Sequence, residues 1–248
     1  MTAMFKFEMK KNLQDRGLLF WMIILPIAFI VLAVSVFASG EDGTMKQQMI
    51  LSIVPGYVVT FVFFIMISMV TAFLKDRDLG MTARIASTPL SPQLYLLGKW
   101  IPYMFIVWIQ IIILIAFGKV VYDLPIVQPL FVFFLSIALS FMATGFGLVL
   151  SLFVKTENMG IALTQVIALG GAMLGGLWMP LDLLPDIIQK IAHLLPQYYA
   201  HQALQDALNG TLTYKAFFQG LFTILAYGCA GFILGIIRYP HFLKQARG

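Results

Sequence analysis

Six long runs of this sequence contain no Asp, Glu, Lys, Arg or His, and no other feature constrains the fold as strongly. They are 18–25 residues long and lie at 18–37, 50–74, 100–117, 130–154, 161–179 and 217–237. A helix needs roughly 20 apolar residues to cross the hydrocarbon core of a bilayer, which is about 30 Å thick. Because the runs are apolar on every side, they do not fit barrel strands, which alternate in polarity. The sequence therefore predicts an all-α membrane protein with six transmembrane helices in a single domain, 1–248.

The composition supports a lipid environment. Hydrophobic residues make up 60% of the 248 residues and charged residues only 11%, whereas a soluble domain has about 25% charged residues. So few charged side chains leave too little polar surface to cover a globule in water. The net charge of +5 does not indicate nucleic acid as a partner, because the charges follow the membrane segments.

The distribution of Lys and Arg predicts the orientation. The N-terminal segment, the loop 75–99, the turn 155–158 and the tail after residue 237 carry twelve of the 16 Lys and Arg residues, and the alternate segments carry four. Loops rich in Lys and Arg stay in the cytoplasm. We therefore expect both termini and the loop 75–99 on the cytoplasmic side of the membrane.

Two further segments have amphipathic patterns. Residues 4–16 fit a short interfacial helix with Phe5, Met9 and Leu13 on one stripe, although a frayed basic tail explains them equally well. The outer segment 180–210 fits two short helices, which begin at Pro185 and Pro196 and are too short to cross a bilayer.

The sequence lacks the residues that would make the chain an enzyme or give it its own energy source. Lys155 and Thr156 follow Val154, where a phosphate-binding loop requires glycine. The three histidines are too scattered for a metal site, and no nucleophile with a nearby base lies within a run. No charged residue lies deep in a run, where it would mark a proton pathway. We expect no catalytic residue, no metal and no cofactor.

Small residues on the fifth run indicate close helix packing. Gly171, Gly175 and Gly176 fit packing within the chain or a dimer face, and the sequence does not decide between the two.

Two segments resemble the permease subunits of type-2 ABC exporters, a family that includes drug-resistance, linearmycin-resistance and nodulation-factor export permeases. The loop 75–99 resembles that of the family through an acidic-Arg-acidic cluster, a glycine, an arginine, a Thr-Pro pair and a closing Gly-Lys. These are Asp76, Arg77, Asp78, Gly80, Arg84, Thr88, Pro89, Leu90, Ser91, Gly98 and Lys99. The loop departs from the family at Met81 and Ala83, where threonine and glutamate are common. The second segment is GGLWMPLDLLPDIIQKIAHLLPQYYAHQALQDALNG, which is similar to the family's proline-punctuated outer segment.

The resemblance implies a half-transporter that assembles with a second permease chain, identical or homologous, and two copies of a separate ATP-binding subunit. In such proteins the loop 75–99 is a coupling loop that docks on the ATPase. We expect Thr88 to cap a helix that begins at Pro89, and Arg77 and Arg84 to pair with carboxylates of the ATPase. An ordinary solvated loop against lipid headgroups is the alternative.

Together with the resemblance, these observations predict a multi-pass permease of a cell membrane, the bacterial plasma membrane, that exports a small amphipathic or lipid-like compound such as a drug, an antibiotic or a lipid. A transporter or channel that uses no ATP is the first alternative, for which the polar residues within the runs are thin evidence: Ser68, Gln110, Thr144 and Gln165. A membrane-embedded enzyme or scaffold is the second.

Overall fold

The computed structural model describes residues 2–38, 43–88, 90–178, 181 and 184–247, and these residues are helical without strands. The all-helical fold predicted from the sequence is confirmed. Two π-helical turns, Phe20–Ile24 and Val166–Gly170, interrupt the α-helices. In chain order the α-helices are α1 Thr2–Gln14, α2 Arg16–Leu19, α3 Leu25–Phe37, α4 Thr44–Val62, α5 Ile65–Asp78, α6 Met81–Ala86, α7 Pro92–Tyr122, α8 Pro129–Phe153, α9 Glu157–Gln165, α10 Gly171–Leu174, α11 Asp186–Ala192, α12 Pro196–Asn209 and α13 Tyr214–Arg247.

Five helical segments of the described chain are long and apolar enough to cross a membrane. They are Arg16–Phe37, Thr44–Asp78, Gln93–Tyr122, Pro129–Phe153 and Tyr214–Lys244. Most extend beyond the predicted runs because the helices continue past the apolar stretch into polar residues at their ends. The chain is thus a multi-pass membrane protein.

The fifth predicted run, 161–179, behaves differently. Its backbone is helical from Glu157 to Leu174 through α9, a π-helical turn and α10. This segment includes polar residues at its start and ends before Gly175 and Gly176, so it is shorter and less apolar than the other five. Met179, the end of the predicted run, lies outside the described residues.

Pro26 explains the π-helical turn in the first span. A proline has no N–H, and its ring clashes with the carbonyl four residues earlier. The helix accommodates Pro26 by widening at Phe20–Ile24, where the N–H of Leu25 donates to the carbonyl of Phe20, five residues back. Asp15 caps α2, since its Oδ1 accepts from the N–H groups of Gly17 at 2.9 Å and Leu18 at 3.1 Å.

The helix α1 packs on α7 through a stripe that is partly polar. Phe5 lies edge-on to Phe105 of α7 with ring centroids 5.9 Å apart, and the side chains of Glu8 and Asn12 are buried. Leu13 is 52% exposed, as a side chain at a membrane interface would be. The interfacial position of residues 4–16 stays a prediction.

Two close contacts hold the bundle around α8. The helices α8 and α13 approach most closely at glycines, since a Cβ on Gly145 would lie 2.8 Å from the carbonyl oxygen of Gly228. At the far end of α8, the N–H groups of Val127 and Gln128 donate to carbonyls of α12, each at 3.2 Å. The helix α12 thereby closes one end of the bundle, with its apolar face buried: Ala203, Leu204, Ala207 and Leu208.

The two ends of the bundle are different in composition. One end, here called the basic end, comprises α1, the end of α5, α6, the start of α7, the turn at 154–156 and the end of α13. The other, here called the α12 end, comprises the start of α4, the connection between α7 and α8, and α12. The loop 75–99 and the α12 segment thus lie at opposite ends.

Candidate functional site

The candidate site lies at the basic end, where α5, α6 and α7 meet. After α5 the chain reverses at Gly80, whose φ of 69° is in the left-handed region that favours glycine. The N–H of Gly80 donates to the carbonyl of Arg77 at 3.0 Å, which closes the last turn of α5. The chain then forms the short helix α6 and returns into α7.

A buried ion pair joins the two long helices of the site. Lys99 of α7 is fully buried, Asp76 of α5 is 9% exposed, and the Lys99 ammonium donates to the Asp76 carboxylate. The ammonium also donates to the carbonyl of Ala72 at 3.0 Å and lies 4.5 Å from the centre of the Phe73 ring. Burying a charge costs several kcal/mol unless it is paired and hydrogen-bonded. These contacts compensate both charges only while α5 and α7 stay together.

Arg77 faces the interior of the basic end. Its Nε donates to Asp78 at 2.8 Å, one Nη donates to the carbonyl of Lys155 at 3.1 Å, and its guanidinium lies 6.0 Å from the Phe242 ring. Arg77 therefore ties α5 to the turn after α8 and to α13. The pairing of Arg77 with a carboxylate of the ATPase, which the family resemblance implies, stays a prediction.

The predicted cap at Thr88 is wrong. The Thr88 hydroxyl donates to the carbonyl of Ile85 at 2.6 Å and accepts from the N–H of Leu90 at 3.4 Å, so it joins the end of α6 to the connection that follows. The helix that follows begins at Pro92, where the Ser91 hydroxyl accepts from the N–H of Leu94 at 3.3 Å. Ser91 and Pro92 repeat the hydroxyl-proline pattern three residues after the predicted one, and only the second position starts a helix. Pro89 lies outside the described residues, and Leu90 lies in the connection.

The exposed face of the site is formed by α6 and the residues next to it. Leu79 is 65% exposed and Met81 43% exposed, and Arg84 also points to the surface. The opposite side of α6 is buried through Thr82. We call these three exposed side chains the α6 platform. An apolar and cationic surface of this kind, backed by the buried ion pair, can receive a protein partner and pass a displacement to α5 and α7.

A column of near-parallel aromatic rings follows α4 through the apolar part of the bundle. Neighbouring rings are 5.2–6.4 Å apart, with interplanar angles of 6–27°. Such offset stacks are favourable arrangements of aromatic side chains. The rings at the two ends are the most exposed, Trp178 at 40% and Trp21 at 47%. We call this the aromatic column: Trp178, Tyr57, Phe61, Phe64 and Trp21.

The glycines of the fifth run pack within the chain. A Cβ on Gly171 would meet the amide of Gln197 on α12, and one on Gly175 would lie 3.0 Å from Leu177. Gly176 is also buried. The exposed residues of this segment lie on another face, and they include Gln165, Val166 and Met173.

The described residues contain no group of three or more His, Cys, Asp and Glu side chains that could hold a metal ion. The burial of the Asp76–Lys99 pair and the aromatic column were not predicted from the sequence. A periodicity search could have found Tyr57 and Phe61, which lie four residues apart on one face of α4, and Phe64, which follows three residues later just after α4.

Comparisons with known proteins agree on one family. The family described as ABC-2 type transporter matches residues 1–209. The chain is similar to the "Putative transport permease YvfS" of Bacillus subtilis (strain 168), at 27% identity over 217 residues, which cover 82% of this chain and 83% of that protein. It is also similar to the "Linearmycin resistance permease protein LnrN" of the same organism, at 26% identity over 62% of this chain and 40% of that protein. A third relative is the "ABC transporter G family member 20" of Dictyostelium discoideum, at 24% identity over 75% of this chain and 26% of that protein.

Proposed function

The chain belongs to the ABC-2 type transporter family, and from this premise we propose that it is the permease subunit of an ATP-driven exporter. Family membership makes it a membrane subunit of an ABC transporter. The proposal adds the direction of transport, the coupling through the loop 75–99, the location in a bacterial plasma membrane and the class of compound. The observation that carries the coupling is the α6 platform, whose Leu79 follows Asp76 of the buried Asp76–Lys99 pair by three residues.

The proposed topology has six membrane crossings with both termini in the cytoplasm. Five crossings are the long apolar segments. The other is the helical segment Glu157–Leu174, whose 18 residues extend about 27 Å at 1.5 Å per residue, close to the thickness of the hydrocarbon core. The high share of Lys and Arg at the basic end supports a cytoplasmic location for that end.

The proposed coupling runs from α6 into two membrane helices. An ATP-binding subunit that presses on the α6 platform pushes against α5, which precedes α6, and against α7, which follows it. Because Lys99 loses both its carboxylate and its carbonyl partner if these helices separate, α5 and α7 move as one unit. The helix α5 packs on α8 and α9, so the displacement reaches the centre of the bundle.

The proposed assembly contains this chain, a second permease chain and two copies of an ATP-binding subunit. The exposed face of α9 and the following π-helical turn, with Gln165 and Val166, is available for the second permease. Gly171 and Gly175 are not, because their faces meet α12 and Leu177 within the chain.

The proposed cargo is an amphipathic or lipid-like compound. The aromatic column supports this class, because ring faces bind apolar groups and the two end rings are exposed. The linearmycin resistance permease among its relatives is consistent with an antibiotic as cargo.

Co-purification tests the proposed function. The chain, expressed from its own genomic context with an affinity tag, should retain an ATP-binding subunit in mild detergent, and the complex should hydrolyse ATP. Arg84→Glu should lower the retained ATP-binding subunit about tenfold, since it reverses the charge of the α6 platform, and tenfold corresponds to about 1.4 kcal/mol of binding free energy.

Lys119→Glu is the matched control, because it makes the same charge change on an exposed residue at the α12 end. It should retain the ATP-binding subunit as the wild type does. A wild-type chain that retains no ATP-binding subunit would refute the proposed function. Equal retention by the Arg84 and Lys119 variants would refute docking on α6.

A further inference from the structure

A cavity of about 420 Å³ opens at the α12 end, between the start of α4, the end of the fifth run and α12. Most of the described residues of its wall have side chains that can donate or accept hydrogen bonds: Gln48, Ser52, Tyr198, His201, Gln202 and Gln205. The other described wall residues are Gly175, Gly176 and Leu181, so none of the described wall residues is Asp, Glu, Lys or Arg. The described wall thus offers many donors and acceptors and no charged side chain.

His201 has a fixed role in the wall. It is 6% exposed, and its Nε2 lies 3.2 Å from the carbonyl oxygen of Ser52. A carbonyl only accepts, so Nε2 carries the proton and donates, and Nδ1 of the neutral ring is left as an acceptor. Burial lowers the pKa of His201 to about 4, an effect that the hydrogen bond to Ser52 opposes. The ring is therefore neutral at physiological pH.

Three amides of the wall are available to a ligand. The side chains of Gln48, Gln202 and Gln205 form no hydrogen bond with any other residue that the structure describes. Each amide offers two N–H donors and one carbonyl acceptor. A hydroxyl or amide group of a neutral ligand can pair with them in both directions, whereas a charged group would lose water without gaining a counter-charge.

The carboxylate of Asp206 belongs to a separate, smaller cavity of about 220 Å³ on the other side of Gln202. There Asp206 accepts from the Thr211 hydroxyl at 3.2 Å. Burial raises the pKa of Asp206, and the hydrogen bond from Thr211 opposes this effect. Asp206 thus serves the end of α12 and does not line the larger cavity.

The larger cavity adjoins the aromatic column. His201 of the cavity wall lies beside Gly56, the residue before Tyr57, since a Cβ on Gly56 would lie 3.5 Å from its Nε2. Gly176 of the cavity wall is two residues before Trp178. A molecule with its apolar part on the column can therefore place its polar end in the cavity.

We infer that this cavity binds the uncharged, hydroxyl- or amide-rich polar end of the exported compound, whose apolar part lies on the aromatic column. The inference rests on the proposed function and narrows its cargo to amphipathic compounds with a neutral head group. Either a glycolipid or a free compound with a neutral polar end has this chemistry.

Equilibrium binding to the purified full-length chain, with its co-purifying partners, in phosphatidylcholine nanodiscs tests the inference. The radiolabelled probes are decyl glucoside, decyl sulfate and decyltrimethylammonium, each below its micellar concentration and corrected for empty nanodiscs. Decyl glucoside should bind saturably and at least tenfold more tightly than either charged probe. Glucose alone should bind more weakly than decyl glucoside, because the aromatic column contributes to binding. Equal binding of the two would refute the role of the aromatic column in the site.

The double variant Gln48→Leu, Gln205→Leu should weaken decyl glucoside binding about tenfold. Gln93→Leu is the matched control, since Gln93 is an exposed amide at the basic end, and it should bind as the wild type does. A charged probe that binds as tightly as decyl glucoside, or a double variant that binds like the wild type, would overturn the inference.

A second readout separates the two proposals. Long-chain glycolipid, added to the same nanodiscs as a competitor, should displace decyl glucoside if lipid is the source of the head group. No displacement assigns the cavity to a free compound. Loss of selective binding in a complex that still retains its ATP-binding subunit refutes only the inference, whereas absence of that subunit refutes the proposed function.

Discussion

Lys99 and Asp76 show how a single buried contact can set the behaviour of the basic end. The pair sits where two membrane helices meet the α6 platform, and it is shielded from water. Buried ion pairs seldom add net stability, but leaving one charge alone is strongly destabilising. The pair is thus better understood as a constraint on the relative position of α5 and α7 than as a source of stability.

A double-mutant cycle tests this constraint. Lys99→Met alone and Asp76→Leu alone should each destabilise the chain by about 3–5 kcal/mol, because each leaves a buried charge. The double variant should recover most of the loss, since no charge remains. Thermal unfolding of the detergent-solubilised protein measures all three. Single variants as stable as the wild type would contradict the burial of the pair between α5 and α7.

His201 predicts a pH dependence of stability. Its pKa is about 4 in the folded protein, below the value of about 6.5 in an unfolded chain. The unfolded state therefore binds a proton first as pH falls. The free energy of unfolding therefore keeps its full value above about pH 6.5 as far as His201 is concerned. It falls progressively down to about pH 4, by roughly 3 kcal/mol in total. His201→Gln should flatten this part of the unfolding curve, and an unchanged pH dependence would contradict the burial of the ring.

The individual helices show where sequence reasoning succeeds and where it fails. Apolar runs indicate membrane helices because a helix within the hydrocarbon core needs apolar residues along its whole length. Five of the six runs correspond to long apolar helices. The start of α7 depends on which of two hydroxyl-proline pairs begins the helix, since both Thr88 and Ser91 precede a proline. The helix begins at Pro92, and the Thr88 hydroxyl bonds to Ile85 and Leu90 instead, which the sequence could not show. The burial of Glu8 likewise follows from the tertiary contact with α7.

The contact between α8 and α13 allows a prediction about helix packing. Gly145→Ala should destabilise the chain by about 1–3 kcal/mol, the usual cost of overpacking, because its Cβ would lie 2.8 Å from the Gly228 carbonyl oxygen. Gly170→Ala is the matched control, since no atom lies within 4 Å of the added Cβ. Thermal unfolding of both variants measures the difference. Equal unfolding temperatures for both would contradict the close approach of the two helices.

At the scale of the whole molecule, the protein is a bundle with two chemically different ends. The basic end carries the α6 platform, the proposed partner surface, together with a buried ion pair. The α12 end carries a cavity whose described wall has no charged side chain, and aromatic rings lie between the two ends. The sequence predicted the bundle and, through a family resemblance, the loop 75–99. It did not predict the cavity, because His201, Ser52 and the three amides come together only in the folded chain.

The central claim is that an ATP-binding subunit drives this permease through the α6 platform. A photoreactive phenylalanine derivative, placed at position 84 on α6 in one strain and at position 211 after α12 in another, tests it in intact native membranes. After irradiation, mass spectrometry of the cross-linked products should identify an ATP-binding subunit at position 84 and none at position 211. An ATP-binding subunit captured at position 211, or at neither position, would contradict the claim.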